Sequence, residues 1–594
     1  MTSEKRCPVM TRLLCLAACL CLLTAAAPLT ASGEAVPAAE EENAAPASYP
    51  VAEEQLTYVI GNKRMDGCMY RFNDTGDIPF VTQKSVSDLL GEIWGRNCFM
   101  DESDFPEVTY FRSDSASVSV NFETGAVVYR NFDAFFTVNN NDGARDILTS
   151  RFYDDEGHAI LIGRSISGNF TRQGWDYEIS LADYDIPFRI ADGTGLLPLQ
   201  TVSDLFFAPG FCDILYNGEL AVLTSGPLNR YLDKEETQKN PLYEEYYGVG
   251  PRPVSPEMAL YSYNELCLAL DRYYGLKETH RIDSFDNLFI STGLQERMLD
   301  TDAAVIERAL DELLFGYFGD RHSSIGMHSP WADPQADMDA VNISSTYRDS
   351  DRNRGLYSAA RLKACPDGVP AYGLEEVGDT LYVSFDVFTV LWYPSAYYSL
   401  KDTDFEPFDT VSLIILADRL IRRENSPIRN VVVDLSVNGG GNLEAAVYLL
   451  GWMMGRFSIH TENTVTGGQY SMTYISDVNL DGVFNDDDNV SDLNLFCLIS
   501  PNSFSCGNLV PSLLKSSGAA TLLGRTSGGG ACVVFPLTTA LGTQLKTSGY
   551  SRISIVKNGV FYDVDKGVDP DVVLIRPESF YDRPALTEYI NSLK

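Results

Sequence analysis

Two turns constrain this chain more than anything else in it. Val431-Val432-Val433-Asp434-Leu435 is an apolar, β-branched run that reads as a buried strand, and it empties through Ser436-Val437-Asn438 into Gly439-Gly440-Gly441. Glycine adopts positive φ without steric cost and lets a backbone approach a ligand closely. Downstream, Phe496-Cys497-Leu498-Ile499-Ser500 reads as a second buried strand. It delivers the turn Asn502-Ser503-Phe504-Ser505-Cys506-Gly507, and Leu509 to Lys515 reads as a helix behind that turn. A serine at a strand-to-helix turn, beside a cradle of backbone N–H groups, is what acyl transfer needs: a nucleophile and donors for an oxyanion.

The surrounding pattern says what fold carries these turns. A strand over Thr380 to Phe388, a helix over Val411 to Arg423, a strand over Val431 to Leu435 and a helix over Glu444 to Met454 alternate in βαβα order. That order predicts an α/β core with parallel strands, assigned to residues 346–594. Residues 251–345 read as a helical segment: Tyr263 to Asp271 and Asp302 to Leu314 carry apolar residues at helical spacing. The second of these runs straight into Gly319-Asp320-Arg321-His322-Ser323. Residues 55–250 read as mainly β, with strand-like alternation from Val108 to Tyr129. Within them Ile78-Pro79-Phe80 before Ser85 to Leu90 is echoed by Leu197-Pro198-Leu199 before Val202 to Phe206, a candidate duplication. Nothing there reads as catalytic, so an accessory, substrate-docking region is expected.

The N-terminus reads as an export signal over residues 1–32. Lys5, Arg6 and Arg12 precede an apolar run from Leu13 to Ala27 and then small residues. The run is short for a stable membrane span, and no later segment is long and apolar enough to be one. Residues 33–54 read as a disordered acidic linker. The expected location is therefore secreted or on the cell surface of a bacterium. Lipoprotein anchoring at Cys19 is the weaker alternative, because Leu20 to Leu23 continue the apolar run past it. A formal net charge of −37 argues against nucleic acid and against an anionic membrane surface. The cysteines beyond the signal show no CxxC metal spacing.

Four turns in order carry a family resemblance. Val433-Asp434-Leu435-Ser436-Val437-Asn438-Gly439-Gly440-Gly441, Asn502 to Gly507, Leu523-Gly524-Arg525-Thr526-Ser527-Gly528 and Gly567-Val568-Asp569-Pro570-Asp571 together resemble the serine peptidases of the tail-specific (C-terminal processing) and tricorn-core type. The resemblance covers roughly residues 256–585. It implies a core of the ClpP/crotonase-like βαβ superhelix type and a protein or peptide substrate. It also implies Ser505 as nucleophile, with Ser503 the rival by sequence. The branch with a catalytic lysine after the nucleophile does not fit, since Gly528 to Ala531 holds none. The tricorn-like branch takes its base from Asp-x-His-Ser/Thr, which Asp320-Arg321-His322-Ser323 matches, so His322 is the implied general base. The implied oxyanion donors are the N–H of Cys506 and one from Gly439 or Gly440. Where that branch has a glutamate to orient the imidazole, this chain offers Asp563 and Asp565, and the choice between them stays open. No cofactor for catalysis is implied. The alternative reading is a catalytically inactive peptide- or protein-binding protein on the same fold, because Ser436, Gly507, Asn508 and the missing glutamate depart from the family pattern. An α/β-hydrolase esterase is disfavoured: no histidine follows His460.

A second motif stands apart, in what reads as an insertion over residues 470–492. From Asp477 to Asp488, oxygen-bearing side chains fall at Asp477, Asn479, Asp481, Asn485 and Asp488, with Gly482 at loop position six and the carbonyl of Val483 at position seven. That is the spacing of an EF-hand-like calcium loop, because calcium takes six to eight hard oxygens and the glycine permits the sharp turn. A structural Ca²⁺ is the expectation. The competing reading is a solvated acidic turn.

Overall fold

The strand Asn430–Asp434 is buried throughout its length, and its neighbours explain its composition. It lies third in a six-stranded sheet ordered Tyr372–Val377, Thr380–Phe385, Asn430–Asp434, Asn494–Ile499, Thr521–Gly524, Val572–Val573. All pairings are parallel except that of the edge strand Tyr372–Val377. Successive side chains on a strand point to opposite faces. Val431 and Val433 accordingly join Leu413, Ile414, Leu449 and Val510 on one face, where helices Thr410–Arg422, Leu443–Met454 and Cys506–Ser517 pack. Val432 joins Tyr357, Phe580 and Ile590 on the other. A sheet covered on both faces has no polar side, which is why this strand reads as an unbroken apolar run. The structure, a computed structural model, describes residues 51–594 apart from 96–97, 137–151, 154–158, 161, 229, 233–236, 334–341, 391–393, 401–402 and 594. The export signal, Cys19, the linker as far as residue 50 and His158 lie outside the described residues. Val51 to Glu54, read as linker, open the strand Val51–Ile60.

A second sheet is organised around the strand Gln544–Lys557. It pairs antiparallel with Phe457–Asn463, Cys532–Thr538, Val560–Asp563 and the short strand Ser324–Met327. The far edge of this sheet is Gly163–Arg172, which pairs with Gln469–Ser476. That strand comes from the stretch read as accessory, so residue 250 is not a structural boundary. One apolar cluster runs through Val118, Phe206, Leu268, Phe535 and Tyr550, joining the N-terminal β region, the helical segment and the second sheet. The two echoed stretches are neighbours in a seven-stranded N-terminal sheet, with Leu197 opposite Val81 and Pro198 opposite Phe80 in antiparallel register.

The polar stretch after Met327 contains an element that periodicity did not reveal, the 20-residue helix Ser345–Ala364. Only Tyr357 and Ala360 on it are buried, so it carries almost no apolar stripe to read. No helix among the described residues is long and apolar enough to cross a membrane.

Three carboxyl groups are buried where the N-terminal region meets the second sheet. Gln200 Nε2 donates to Asp204 Oδ1 at 2.9 Å and to the Thr538 carbonyl at 2.9 Å. Gln544 Nε2 lies 3.4 Å from Asp213 Oδ2, and the Thr201 hydroxyl donates to Glu265 Oε1. Burial pushes Asp213 and Glu265 up to about 7. Burial also raises Asp204, with the neighbouring Glu265 charge adding to the effect. Asp204 Oδ2 and Glu265 Oε2 are buried with no hydrogen-bond partner among the described residues, which favours the protonated carboxyls. The folded chain therefore holds protons that the unfolded chain releases near the ordinary carboxylate range. That contribution to stability is fully present below about pH 4 and is lost as pH rises through about 7. Urea unfolding of wild type and Glu265→Gln across pH 5 to 8 tests this. The variant should gain stability relative to wild type as pH rises, and a pH-independent difference would contradict it.

Candidate active site

Ser505 occupies the sharpest bend between the sheet and its helices. The strand Asn494–Ile499 ends, the turn follows, and the helix Cys506–Ser517 begins with Ser505 at its N-cap at φ 56°, ψ −121°. A β-carbon at positive φ of this kind costs on the order of 1–3 kcal/mol and persists only where the surroundings over-determine it. Two hydrogen bonds hold the bend: Ser505 N to the Gly529 carbonyl at 2.9 Å and Phe504 N to the Asn438 carbonyl at 3.1 Å. The Ser505 side chain makes no helix-capping hydrogen bond, which removes the purely structural role a serine at this position would otherwise have. Ser503 is spoken for: fully buried, its hydroxyl donates to the Leu435 carbonyl at 2.6 Å and accepts from Ser500 N at 2.9 Å.

The glycine turn presses against this bend. A Cβ on Gly440, at φ 104°, would stand 2.7 Å from Ser505 Cβ and 2.9 Å from the Phe504 carbonyl oxygen, so no other residue fits there. The donors differ from those expected. Gly439 N–H donates to the Asp386 carbonyl at 3.1 Å and Gly440 N–H to Asn438 Oδ1 at 2.9 Å, so both are committed to holding the turn. The N–H groups available at the site are those of Gly441 and Cys506. Both favour the ionised form of the Cys506 thiol, yet burial outweighs them and pushes that thiol up to about 12. A cysteine held in its thiol form is no nucleophile. Its Sγ lies 3.3 Å from the Gly441 carbonyl.

His322 arrives from the other sheet. Its ring packs on that of Phe504, the neighbour of Ser505, with centroids 4.7 Å apart. Nδ1 lies 3.3 Å from Ser548 Oγ, and Nε2 is buried with no hydrogen-bond partner. His322 and Ser505 are thus brought to one locus without a hydrogen bond between them. With the Ser548 hydroxyl accepting from Nδ1–H, Nε2 holds the free lone pair of a base. Burial lowers the imidazole pKa, the Asp320 and Asp565 carboxylates oppose the shift, and Arg321 adds to it. Asp320 builds the turn itself: Oδ1 accepts from His322 N at 3.0 Å, and Oδ2 accepts from Ser323 Oγ at 2.7 Å and Ser548 N at 3.2 Å.

The two aspartates left open by the sequence separate here. The strand Val560–Asp563 ends before Asp565, so the alternation that would have put both on one face does not reach it. Asp563 pairs with Arg552 on the neighbouring strand. Asp565 lies in the following loop, its carboxylate accepting from Ala531 N at 3.2 Å, and its charge reaches His322.

Three functional contributors were not legible beforehand: Ser548, Gly441 and Arg583. Arg583, from the C-terminal helix Arg583–Ser592, places Nη2 2.6 Å from Asp434 Oδ2, and both residues are buried. Ser436 instead bonds Tyr581 through its hydroxyl at 2.9 Å.

A cavity of about 210 Å³ opens beside Ser505. Gly441, Cys506, Leu443, Val533, Ile553 and Val564 are among its walls, and no charged side chain lines it.

Residues 416–574 match the model of Peptidase family S41. The chain carries an S41 peptidase domain. The matched stretch includes both the glycine turn and Ser505. A protein of Chlamydia pneumoniae is 33% identical over 101 residues, which is 17% of this chain and 16% of that relative's length. A peptidase structure from Parabacteroides merdae aligns at 15% identity over 57% of this chain and 96% of that one, with a TM-score of 0.40. Mature CPAF complexed with lactacystin aligns at 12% identity over 57% and 97%, with a TM-score of 0.35. His322 lies outside the matched stretch of the S41 domain.

If His322 is the base, the acid limb of Ser505 acylation should fall below about pH 6.5, the ordinary imidazole value, because its pKa is lowered. A pH series of acylation rates measures this, and a limb above that value would contradict the assignment.

Proposed function

We propose that this S41 protein is an exported serine endopeptidase working through an acyl-enzyme. The observation that carries the reading is the strained Ser505 bend, whose side chain caps nothing and lines the cavity. Ser505 Oγ attacks the peptide carbonyl, and its proton passes to His322 Nε2. The oxygen of the tetrahedral intermediate takes the N–H groups of Cys506 and Gly441. Each such donor is worth about 3 kcal/mol of barrier. His322 then protonates the leaving amine, and water hydrolyses the acyl-enzyme by the same steps in reverse. Catalytic hydrogen bonds are often long before substrate binds, so the His322–Ser505 contact forms as the substrate seats. Ser548 and the Asp320 and Asp565 carboxylates orient and stabilise the imidazole. Export is supported by the charged-then-apolar N-terminal pattern. The uncharged walls of the cavity favour an apolar side chain on the acyl side of the scissile bond.

The inactive-binder reading keeps one supporting fact, the absence of a Ser505–His322 hydrogen bond. A fluorophosphonate probe separates the two. Wild type should be labelled, and Ser505→Ala and His322→Ala should not. Peptides with Val or Leu before the scissile bond should be cut at least tenfold faster than those with Asp or Lys. An unlabelled but folded wild type would establish the binder instead.

A further inference from the structure

The loop Asp477–Asp488 lies between the strands Gln469–Ser476 and Asn494–Ile499, and the second of these strands leads into the Ser505 turn. Its hydrogen bonds repeat at regular intervals. Asn479 Oδ1 accepts from Asp481 N at 2.8 Å, Asp481 Oδ1 from Val483 N at 2.7 Å and Asn485 Oδ1 from Asp487 N at 2.6 Å. Gly482, at φ 81°, turns its N–H back onto Asp477 Oδ2 at 2.9 Å. Asp488 closes the loop, Oδ1 accepting from Val478 N at 2.8 Å and Oδ2 from Asn485 N at 2.9 Å. Val478 and Leu480 are buried beneath it. These bonds shape the loop but do not by themselves call for a ligand.

Asp477 does. It is completely buried, and while Oδ2 takes Gly482 N–H and the Tyr398 hydroxyl at 2.7 Å, Oδ1 has no partner among the described residues. The Gly482 bond fixes this carboxylate toward the inside of the loop. A buried carboxylate oxygen without a donor is costly in a chain of net charge −37, and a cation is the partner that removes the cost. No three His, Cys, Asp or Glu side chains among the described residues are already gathered around a metal position. The acids here are interleaved with two asparagines and a backbone carbonyl, a hard-oxygen set of the calcium kind rather than a transition-metal one.

We propose that Asp477–Asp488 is a calcium site, with Asp477 Oδ1, the side chains of Asn479, Asp481, Asn485 and Asp488, and the Val483 carbonyl as its oxygens. A carboxylate oxygen has two lone pairs, so those already accepting one N–H can still ligate; Asp488 Oδ1 accepts from both Val478 N and Asn479 N, so Asp488 ligates through Oδ2. Strands, not helices, flank the loop, so the ion braces the connection between the two sheets and takes no part in the chemistry at Ser505. Calcium is preferred to magnesium because the ligands are many and irregularly placed, and magnesium demands near-ideal octahedral geometry.

The test is calorimetric titration of full-length protein with CaCl₂, with Tb³⁺ luminescence sensitised by Tyr398 as a second readout. One saturable site should appear, with calcium displacing terbium and raising the melting temperature. Asp477→Asn should weaken binding at least tenfold. Asp481→Asn, at an exposed position that leaves the fold intact, should do the same. Absence of a saturable site, or equal affinity in wild type and Asp481→Asn, would overturn the proposal. Probe labelling at Ser505 is read separately, so loss of one result does not decide the other.

Discussion

The antiparallel pairing of Ser324–Met327 with Gln544–Lys557 is the constraint on which the site depends. Ser505 and the glycine turn are built at the ends of neighbouring strands of one parallel sheet. The imidazole is different. It comes from a segment 226 residues away from Ser548 in sequence, and this strand pairing brings the two together. Asp320 reinforces the junction by bonding His322 N on its own turn and Ser548 N on the partner strand. Because Gln544–Lys557 also pairs with Phe457–Asn463, Cys532–Thr538 and Val560–Asp563, the position of His322 is tied to the walls of the cavity and to the loop that holds Asp565.

Around Ser505 the structure maintains strain with local bonds. The turn is held from three sides: the Asn438 carbonyl on Phe504 N, the Gly529 carbonyl on Ser505 N, and Asn508, whose Nδ2 reaches the Val564 carbonyl at 2.9 Å and whose Oδ1 accepts from Ser527 at 2.7 Å. Asn508 departs from the family pattern, yet it ties the helix behind Ser505 to Val564, beside Asp565. Ser436 departs too, and its hydroxyl bonds Tyr581 while Arg583, from the C-terminal helix, pairs with the buried Asp434. Breaking such a buried pair by removing one partner typically costs about 3–5 kcal/mol.

What the sequence made legible follows from burial. The core strands were readable because both their faces are covered, and the helices at Thr410–Arg422 and Leu443–Met454 because their apolar stripes are wide. Ser345–Ala364 escaped because it buries two side chains in twenty residues. The boundary at residue 250 failed because Gly163–Arg172 pairs with a strand roughly three hundred residues on, and strand partners at that separation leave no local trace. At the site, residue types and the serine were legible, while the committed N–H groups of Gly439 and Gly440 were not. Which amide in a triple-glycine turn is free depends on Asp386 and Asn438, and no spacing rule encodes that. The same holds for Asp563, whose charge Arg552 takes.

The central claim is that Ser505 and His322 act as one unit even though they do not touch in the unliganded chain. A double-mutant cycle on kcat/KM for a peptide with an apolar residue before the scissile bond measures this directly. The account predicts that Ser505→Ala, His322→Ala and the double variant all lose nearly the same activity, on the order of 10⁶-fold. Additive losses, or a His322→Ala variant within tenfold of wild type, would contradict it.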